Sequence, residues 1–346
     1  MDSLYVIVPG DISCHLKKMI DAATAVSEHN ITITSTSTIP DLKHKRILFA
    51  IELDQIGVNL SLLIFMNKLF EKGNDSLLGS IAGILIYSKN EMYTKSMARD
   101  LIFGFNQLGC SFPGHPLVEA TYSYNNFSTW KKQYDISLEE ICWIHCSQLA
   151  NRILTYSQPL VSLPRITVLH SSSRKTSNTL MLWDLVKQHL TIAQIEELHV
   201  ENGTIVDCIG CSYKTCMHFS QQNSCFYGGI MVKEVLPAIE KADILIWICP
   251  NYNDSVSANL MAVINRLTSL YRKIKLYDKS FFSIIVSGNS GSDSVAKQLI
   301  GALNVNKGLH LPPYFALMAT ANDPGAIHKI PDIDKISQHF ASNILP

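Results

Sequence analysis

Apolar, strand-like runs alternate with amphipathic, helix-like segments along all 346 residues. No other feature limits the fold so tightly. A strand that pairs parallel to its predecessor needs a crossover of a dozen or more residues, usually a helix, so this rhythm calls for parallel α/β sheets. In the second half, strands are predicted near 166–169, 195–200, 243–249, 281–287 and 314–318. Helices are predicted near 176–190, 228–240, 255–272, 292–304 and 325–343. The first half repeats the pattern, with strands near 3–8, 31–35, 46–52, 82–88 and 117–121 and helices near 11–27, 57–71, 91–108 and 136–154.

Short matches survive between the halves at an offset of about 198 or 199. Met66-Asn67-Lys68-Leu69 matches Ile264-Asn265-Arg266-Leu267, Tyr87-Ser88-Lys89-Asn90 matches Val286-Ser287-Gly288-Asn289, and Phe112-Pro113 matches Leu311-Pro312. Their common order suggests a duplicated domain. Domains are expected at 1–155 and 165–346, joined by the proline-containing stretch 155–164. An apolar content of 47% against 17% charged residues suits buried parallel sheets. The formal net charge of zero gives no electrostatic case for nucleic acid. No apolar run reaches the roughly 18 residues needed to span a bilayer. The start, M-D-S-L-Y-V-I-V-P-G-D, reads as a first strand and not a signal peptide. Nine cysteines, four of them within 18 residues, fit a reducing compartment, so a cytoplasmic protein is expected.

Residues His170 to Thr179, H-S-S-S-R-K-T-S-N-T, lie between an apolar β-branched run and an amphipathic segment. A hydroxyl-rich turn from a strand into a helix N-terminus presents free N–H groups and a positive dipole end to an anion. The S-x-R-x-x-S-N-T pattern resembles the phosphate loop of the NADPH-dependent FMN reductase family, which has the flavodoxin fold. A second match is Ala242 to Arg266, where a strand leads into P-N-Y-N and a small-residue turn, then a helix ending in N-R. The resemblance implies two three-layer α/β/α domains, each with a five-stranded parallel sheet of order 2-1-3-4-5. It implies that Ser172, Arg174, Ser177, Asn178 and Thr179 hold the FMN phosphate. Pro250, Asn251, Tyr252 and Asn253 would line the isoalloxazine, and the glycine-bearing loop Ser287, Gly288 and Asn289 would approach the ring. The activity implied is an FMN-dependent NAD(P)H oxidoreductase. Electrons would pass to a small-molecule acceptor such as a flavin, quinone, azo or nitro compound, or ferric complex. No protein nucleophile is required, since the flavin carries the chemistry. A homodimer is implied, or an intramolecular pseudo-dimer in which the first half packs as a built-in partner. The corresponding loop of the first half, P-G-D-I-S-C-H, carries Asp11, whose carboxylate repels phosphate, so no cofactor is expected there.

Between the second and third strands of the second half, Cys208, Cys211, Cys216 and Cys225 are spaced C-x2-C-x4-C-x8-C. Four thiolates can ligate a [4Fe–4S] cluster or zinc, and they can equally remain free. Iron–sulfur flavoproteins, similar in fold, carry a tighter four-cysteine motif in this connection. The alternatives to a reductase are therefore an FMN and iron–sulfur electron carrier, or a non-redox scaffold with a decayed flavin site. Cys142 and Cys146 lie at i, i+4 among apolar residues and read as packing, as do Cys110 and Cys249. Glu52 and Asp54, at a strand end, read as capping or solvated carboxylates.

Overall fold

The longest apolar runs become the central strands. A computed structural model describes residues 3–157, 161–172, 176–201 and 203–345, and the chain divides into two units, Met1–Ser157 and Gln158–Pro346. The first holds β1 (Leu4–Ile7), β2 (Asn30–Ile33), β3 (Arg46–Leu53), β4 (Ile81–Ser88) and β5 (Leu117–Thr121), all parallel in the order β2-β1-β3-β4-β5. The second holds β6 (Arg165–His170), β7 (Gln194–His199), β8 (Ile244–Pro250), β9 (Ser280–Ser287) and β10 (Ala316–Thr320), in the order β7-β6-β8-β9-β10. Both sheets are the 2-1-3-4-5 arrangement of the flavodoxin fold. Every residue of β8 and β9 is buried, as expected for strands covered on both faces. Edge strand β2 is exposed along most of its length.

In the first unit the helices are α1 (Cys14–Thr24), α2 (Leu60–Glu71), α3 (Thr94–Asn106) and α4 (Leu138–Thr155). Ser137 and Glu140 form a capping box that starts α4, each side chain bonding the other's backbone N–H. Cys142, Cys146 and Leu149 of α4 share one core with Leu16 and Met19 of α1, which confirms the packing role of that cysteine pair. The helix lies so close to β4 that a Cβ on Gly83 would sit 2.7 Å from Ile153 Cδ1.

The second unit adds α5 (Asn178–Lys187), α6 (Tyr213–Gln221), α7 (Leu236–Lys241), α8 (Ala258–Arg266), α9 (Thr268–Lys273), α10 (Ser292–Leu299) and α11 (Ile333–Ile344). Four features depart from the expected pattern. The helix predicted over 255–272 is two helices meeting at Leu267. Residues Met231–Val235 and Ile300–Val305 are π-helical turns continuous with α7 and α10. A helix, α6, forms inside the cysteine-bearing connection, started by the Ser212 hydroxyl accepting from Thr215 N–H. Strand β10 begins at Ala316 and not near 314 because Tyr314 has a φ of 52°, outside strand geometry. Among the described residues no helix is long and apolar enough to cross a membrane.

Candidate functional site

Four loops leave the carboxyl ends of β6, β8, β9 and β10, where open α/β sheets bind ligands. Side chains tie them together. Ser171 Oγ lies 2.8 Å from Ser257 Oγ, the N-cap residue of α8, joining the first loop to the second. Asn251 Nδ2 donates to Ser287 Oγ at 2.9 Å and to the Ser290 carbonyl at 2.9 Å, joining the second loop to the third. Ala321 N–H donates to the Ser287 carbonyl at 2.9 Å, bringing in the fourth.

In the first loop, Ser172 is 8% exposed, and its hydroxyl has no hydrogen-bond partner among the described residues. A buried hydroxyl without a partner costs about 1–3 kcal/mol, so the position is poised for an acceptor or donor from outside. Ser177 is the N-cap of α5 and accepts from Leu180 N–H at 3.4 Å. The first turn of α5 has no acidic residue to compete with an anion, and Thr179 is buried within it. Asn178 departs from expectation. Its Nδ2 donates to the Ala321 and Asp323 carbonyls at 3.1 and 2.8 Å, and its Oδ1 accepts from Ile327 N–H at 3.3 Å. That side chain clamps the fourth loop, leaving only the backbone N–H for a phosphate. Arg174 lies outside the described residues.

Pro250 is the last, buried residue of β8, and Asn251 N–H continues the pairing to the Val286 carbonyl at 2.9 Å. Tyr252 is 60% exposed, and Asn253 and Asp254 have φ of 54° and 55°, so the chain turns sharply here. Ser287 is buried and shares a 2.6 Å contact with Ser292 Oγ. Gly288 is exposed, and Asn289 Oδ1 accepts from Ser290 N–H at 2.6 Å. A Cβ on Gly291 (φ 84°) would fall 1.8 Å from Asp254 Oδ1, so only glycine lets the second and third loops meet. Sequence reasoning missed Gln298 of α10, whose Nε2 donates to the Asp254 carbonyl at 2.8 Å and whose Oε1 accepts from Val256 N–H at 3.2 Å. Nothing in the sequence marks a mid-helix glutamine for that task.

At the ends of β6 and β7, the rings of His170 and His199 stack with centroids 4.7 Å apart. Burial, with the neighbouring imidazole of His199, lowers the pKa of His170.

The N-R ending of α8 has a structural task. Buried Arg266 donates from Nη1 to the Val206 carbonyl (3.3 Å) and from Nη2 to the Gly228 carbonyl (2.8 Å), pinning both ends of the cysteine-bearing segment. Asn265 Nδ2 donates to Asp207 Oδ1 at 2.9 Å. Within that segment Cys208 is exposed and Cys211, Cys216 and Cys225 are partly buried. Among the described residues no three metal-ligating side chains are gathered into a group that could hold an ion.

The matching corner of the first unit is closed by its own carboxylate. Glu52 Oε2 accepts from Ser13 N–H at 2.5 Å, at the start of α1. Glu52, not Asp11, therefore occupies the amide that an anion would use. Beside it, His15 stacks on Tyr87 at 5.0 Å and bonds the Tyr124 hydroxyl at 3.0 Å.

Residues 164–323 match the model of the family NADPH-dependent FMN reductase. That match makes the second unit an oxidoreductase domain of the FMN type, with NAD(P)H as reductant. No curated protein matches the chain. Among solved structures, it is similar to an NAD(P)H:quinone oxidoreductase from Methanothermobacter marburgensis at 13% identity, covering 53% of this chain and 97% of that one, with a TM-score of 0.41. It is also similar to an azoreductase from Bacillus anthracis str. Sterne at 12% identity, covering 53% and 98%, with a TM-score of 0.37.

Proposed function

We propose, from the match of the second unit to the NADPH-dependent FMN reductase family, that this unit takes reducing equivalents from NAD(P)H and passes them to a small acceptor. The acceptor class is a flavin, quinone, azo or nitro compound, or ferric complex. The observation that carries the reading is the buried Ser172 hydroxyl, which has no hydrogen-bond partner among the described residues and precedes the Ser177-capped start of α5 in the chain. Ser172 and the backbone N–H groups of Asn178 and Thr179 would hold the phosphate, with Ser177 fixing the helix start and Arg174 supplying a countercharge. The turn at Pro250, Asn251, Tyr252 and Asn253 and the loop at Ser287, Gly288 and Asn289 would flank the ring. Asn251, Gly291 and Gln298 hold those two loops at a fixed separation. Bound FMN supplies hydride acceptance from NAD(P)H and electron delivery to the acceptor, so the protein's part is to bind, orient and exclude water. Nine unpaired cysteines support a reducing, cytoplasmic setting. The partner expected is a second copy, or the first unit acting as a built-in one.

Anaerobic purification followed by a visible spectrum, an iron assay and FMN titration tests this. Flavin absorption without iron, and reduction of that flavin by NAD(P)H, supports the reductase. Iron with labile sulfide would move the assignment to the electron carrier, with Cys208, Cys211, Cys216 and Cys225 as ligands. Failure to take up added FMN would sink both.

A further inference from the structure

His170 ends β6, His199 ends β7, and the parallel register sets the two residues side by side. Their rings stack with an interplanar angle of 7°. His170 Nδ1 and His199 Nε2 are both buried with no hydrogen-bond partner among the described residues. Buried polar atoms are ordinarily bonded, so two orphans in one stacked pair point to a partner from outside the chain.

The pair lies at the end of the sheet where the phosphate loop begins. Alternate residues of a strand face opposite sides of the sheet. Thr167 Oγ1 donates to the Ala238 carbonyl of α7 at 3.3 Å, which puts Val168 and His170 on the side away from α7. Strands β7 and β8 flank β6 on its two edges, so right-handed crossovers put α5 and α7 on opposite faces. Lys187 of α5 accordingly bonds Glu197, two residues before His199, at 2.6 Å. Helix α5 runs back against β6, so its first turn starts from the carboxyl end of the sheet, on the face that carries the two rings. Ser172, two residues past His170, is buried, and its backbone acts on the His170 ring.

We propose, resting on the FMN reading above, that the stacked histidines belong to the phosphate site and that FMN binding draws one proton from solvent onto His170. Burial, then the imidazole of His199, makes His170 hold a proton less tightly than an ordinary histidine, and the Ser172 backbone and Glu197 oppose this without prevailing. Glu197 is engaged by Lys187, and Glu201 lies 3.6 Å from His199 Nδ1. A phosphate dianion offsets both costs, because it brings opposite charge and an acceptor for a protonated Nδ1. The sign of the pH dependence identifies the group. Arg174 stays charged throughout, so it gives no dependence near neutrality. The phosphate's own second ionisation, at about pH 6, acts the other way, since a site that prefers the dianion loses affinity as pH falls. Affinity that rises as pH falls from about 8 to about 6.5 is the mark of a histidine taking up a proton.

The test is calorimetric titration of the full chain with FMN, in buffers of different ionisation enthalpy, from about pH 6 to about pH 8.5. Wild type is expected to take up about half a proton or more per FMN at about pH 7, and to bind about fivefold more tightly at about pH 6.5 than at about pH 8. His170→Asn should bind without that uptake, about fivefold more weakly than wild type at about pH 6.5 and equally at about pH 8.5. His199→Asn removes the imidazole that opposes the proton, so the pH-dependent limb should move to higher pH. Far-UV circular dichroism checks that both variants fold. A His170 that only packs would instead weaken FMN binding equally at every pH, which overturns the proposal. FMN bound by wild type with no proton uptake overturns it too, and leaves the FMN reading standing. No FMN uptake at any pH overturns both. If His170→Asn does not fold, His199→Asn decides, and a limb that stays in place overturns the proposal.

Discussion

Ser172 gives two predictions of opposite sign from one atom. Because its hydroxyl is buried with no partner among the described residues, Ser172→Ala should stabilise the FMN-free protein by about 1 kcal/mol while weakening FMN binding about tenfold. Thermal unfolding of the apoprotein and a fluorescence titration with FMN read the two effects separately, and a loss in both would mean the hydroxyl has an internal role. Gly291→Ala should be far harsher, because its Cβ would overlap Asp254 Oδ1 at a φ of 84°. A stability loss of about 2 kcal/mol or more is expected, with FMN retention falling in step. His310 sets a pH dependence. Burial pushes its pKa down to about 3, and its Nδ1 lies 3.0 Å from Ser280 Oγ. The unfolded chain takes up a proton near pH 6.5 that the folded chain refuses, so stability declines as pH falls from about 6.5 towards 3 and levels off below that. Urea unfolding at pH 7 and pH 4.5 should differ by about 2 kcal/mol from this group, and His310→Gln should shrink the difference.

Elements carry constraints that no single residue reveals. Arg266 closes α8 in sequence terms as the end of an N-R motif, yet in space it holds Val206 and Gly228 together. Arg266→Met should leave the sheet intact while opening the 206–228 segment, and limited proteolysis should cut there at least about tenfold faster. Unchanged cleavage would show that α6, packed against α9, holds the segment without it. The parallel sheets were legible because β3, β4, β8 and β9 are dominated by apolar residues on both faces, a pattern that burial on both faces demands. The breaks were not. Leu267, the joint between α8 and α9, keeps a helical backbone and is followed by no glycine or proline, so nothing in the sequence marks the break. Helix α6 escaped notice because Tyr213–Gln221 is short and has few apolar residues, and its clearest signal is the Ser212 cap. The three site loops were legible through their position after strands. The use of Asn178 as an internal clamp was not, because a free asparagine and a bonded one look alike in sequence.

At the scale of the whole molecule, the two units repeat in more than strand order. The isolated bridge Ile81↔Ser111 recurs as Ser280↔His310, a shift of 199 at both ends. The bond from Ile84 N–H to the Pro116 carbonyl recurs at the same shift from Ser283 N–H to Phe315. We propose that the units arose by duplication, since shared topology alone does not conserve one offset through a bridge and a loop bond. Their ligand corners then diverged. Glu52 bonds the Ser13 amide in the first unit, while the first turn of α5 in the second carries no acidic residue. FMN should therefore bind once per chain. Ligand that binds only the native form stabilises it by RT ln(1 + [L]/Kd), about 2.7 kcal/mol at a hundredfold excess over Kd. Two units with separate cores can unfold in separate steps. Calorimetry should then show FMN raising the transition of the second unit while the first stays in place. Equal shifts in both would mean either a second FMN site or units that unfold as one, and a titration stoichiometry of two or one per chain tells these apart.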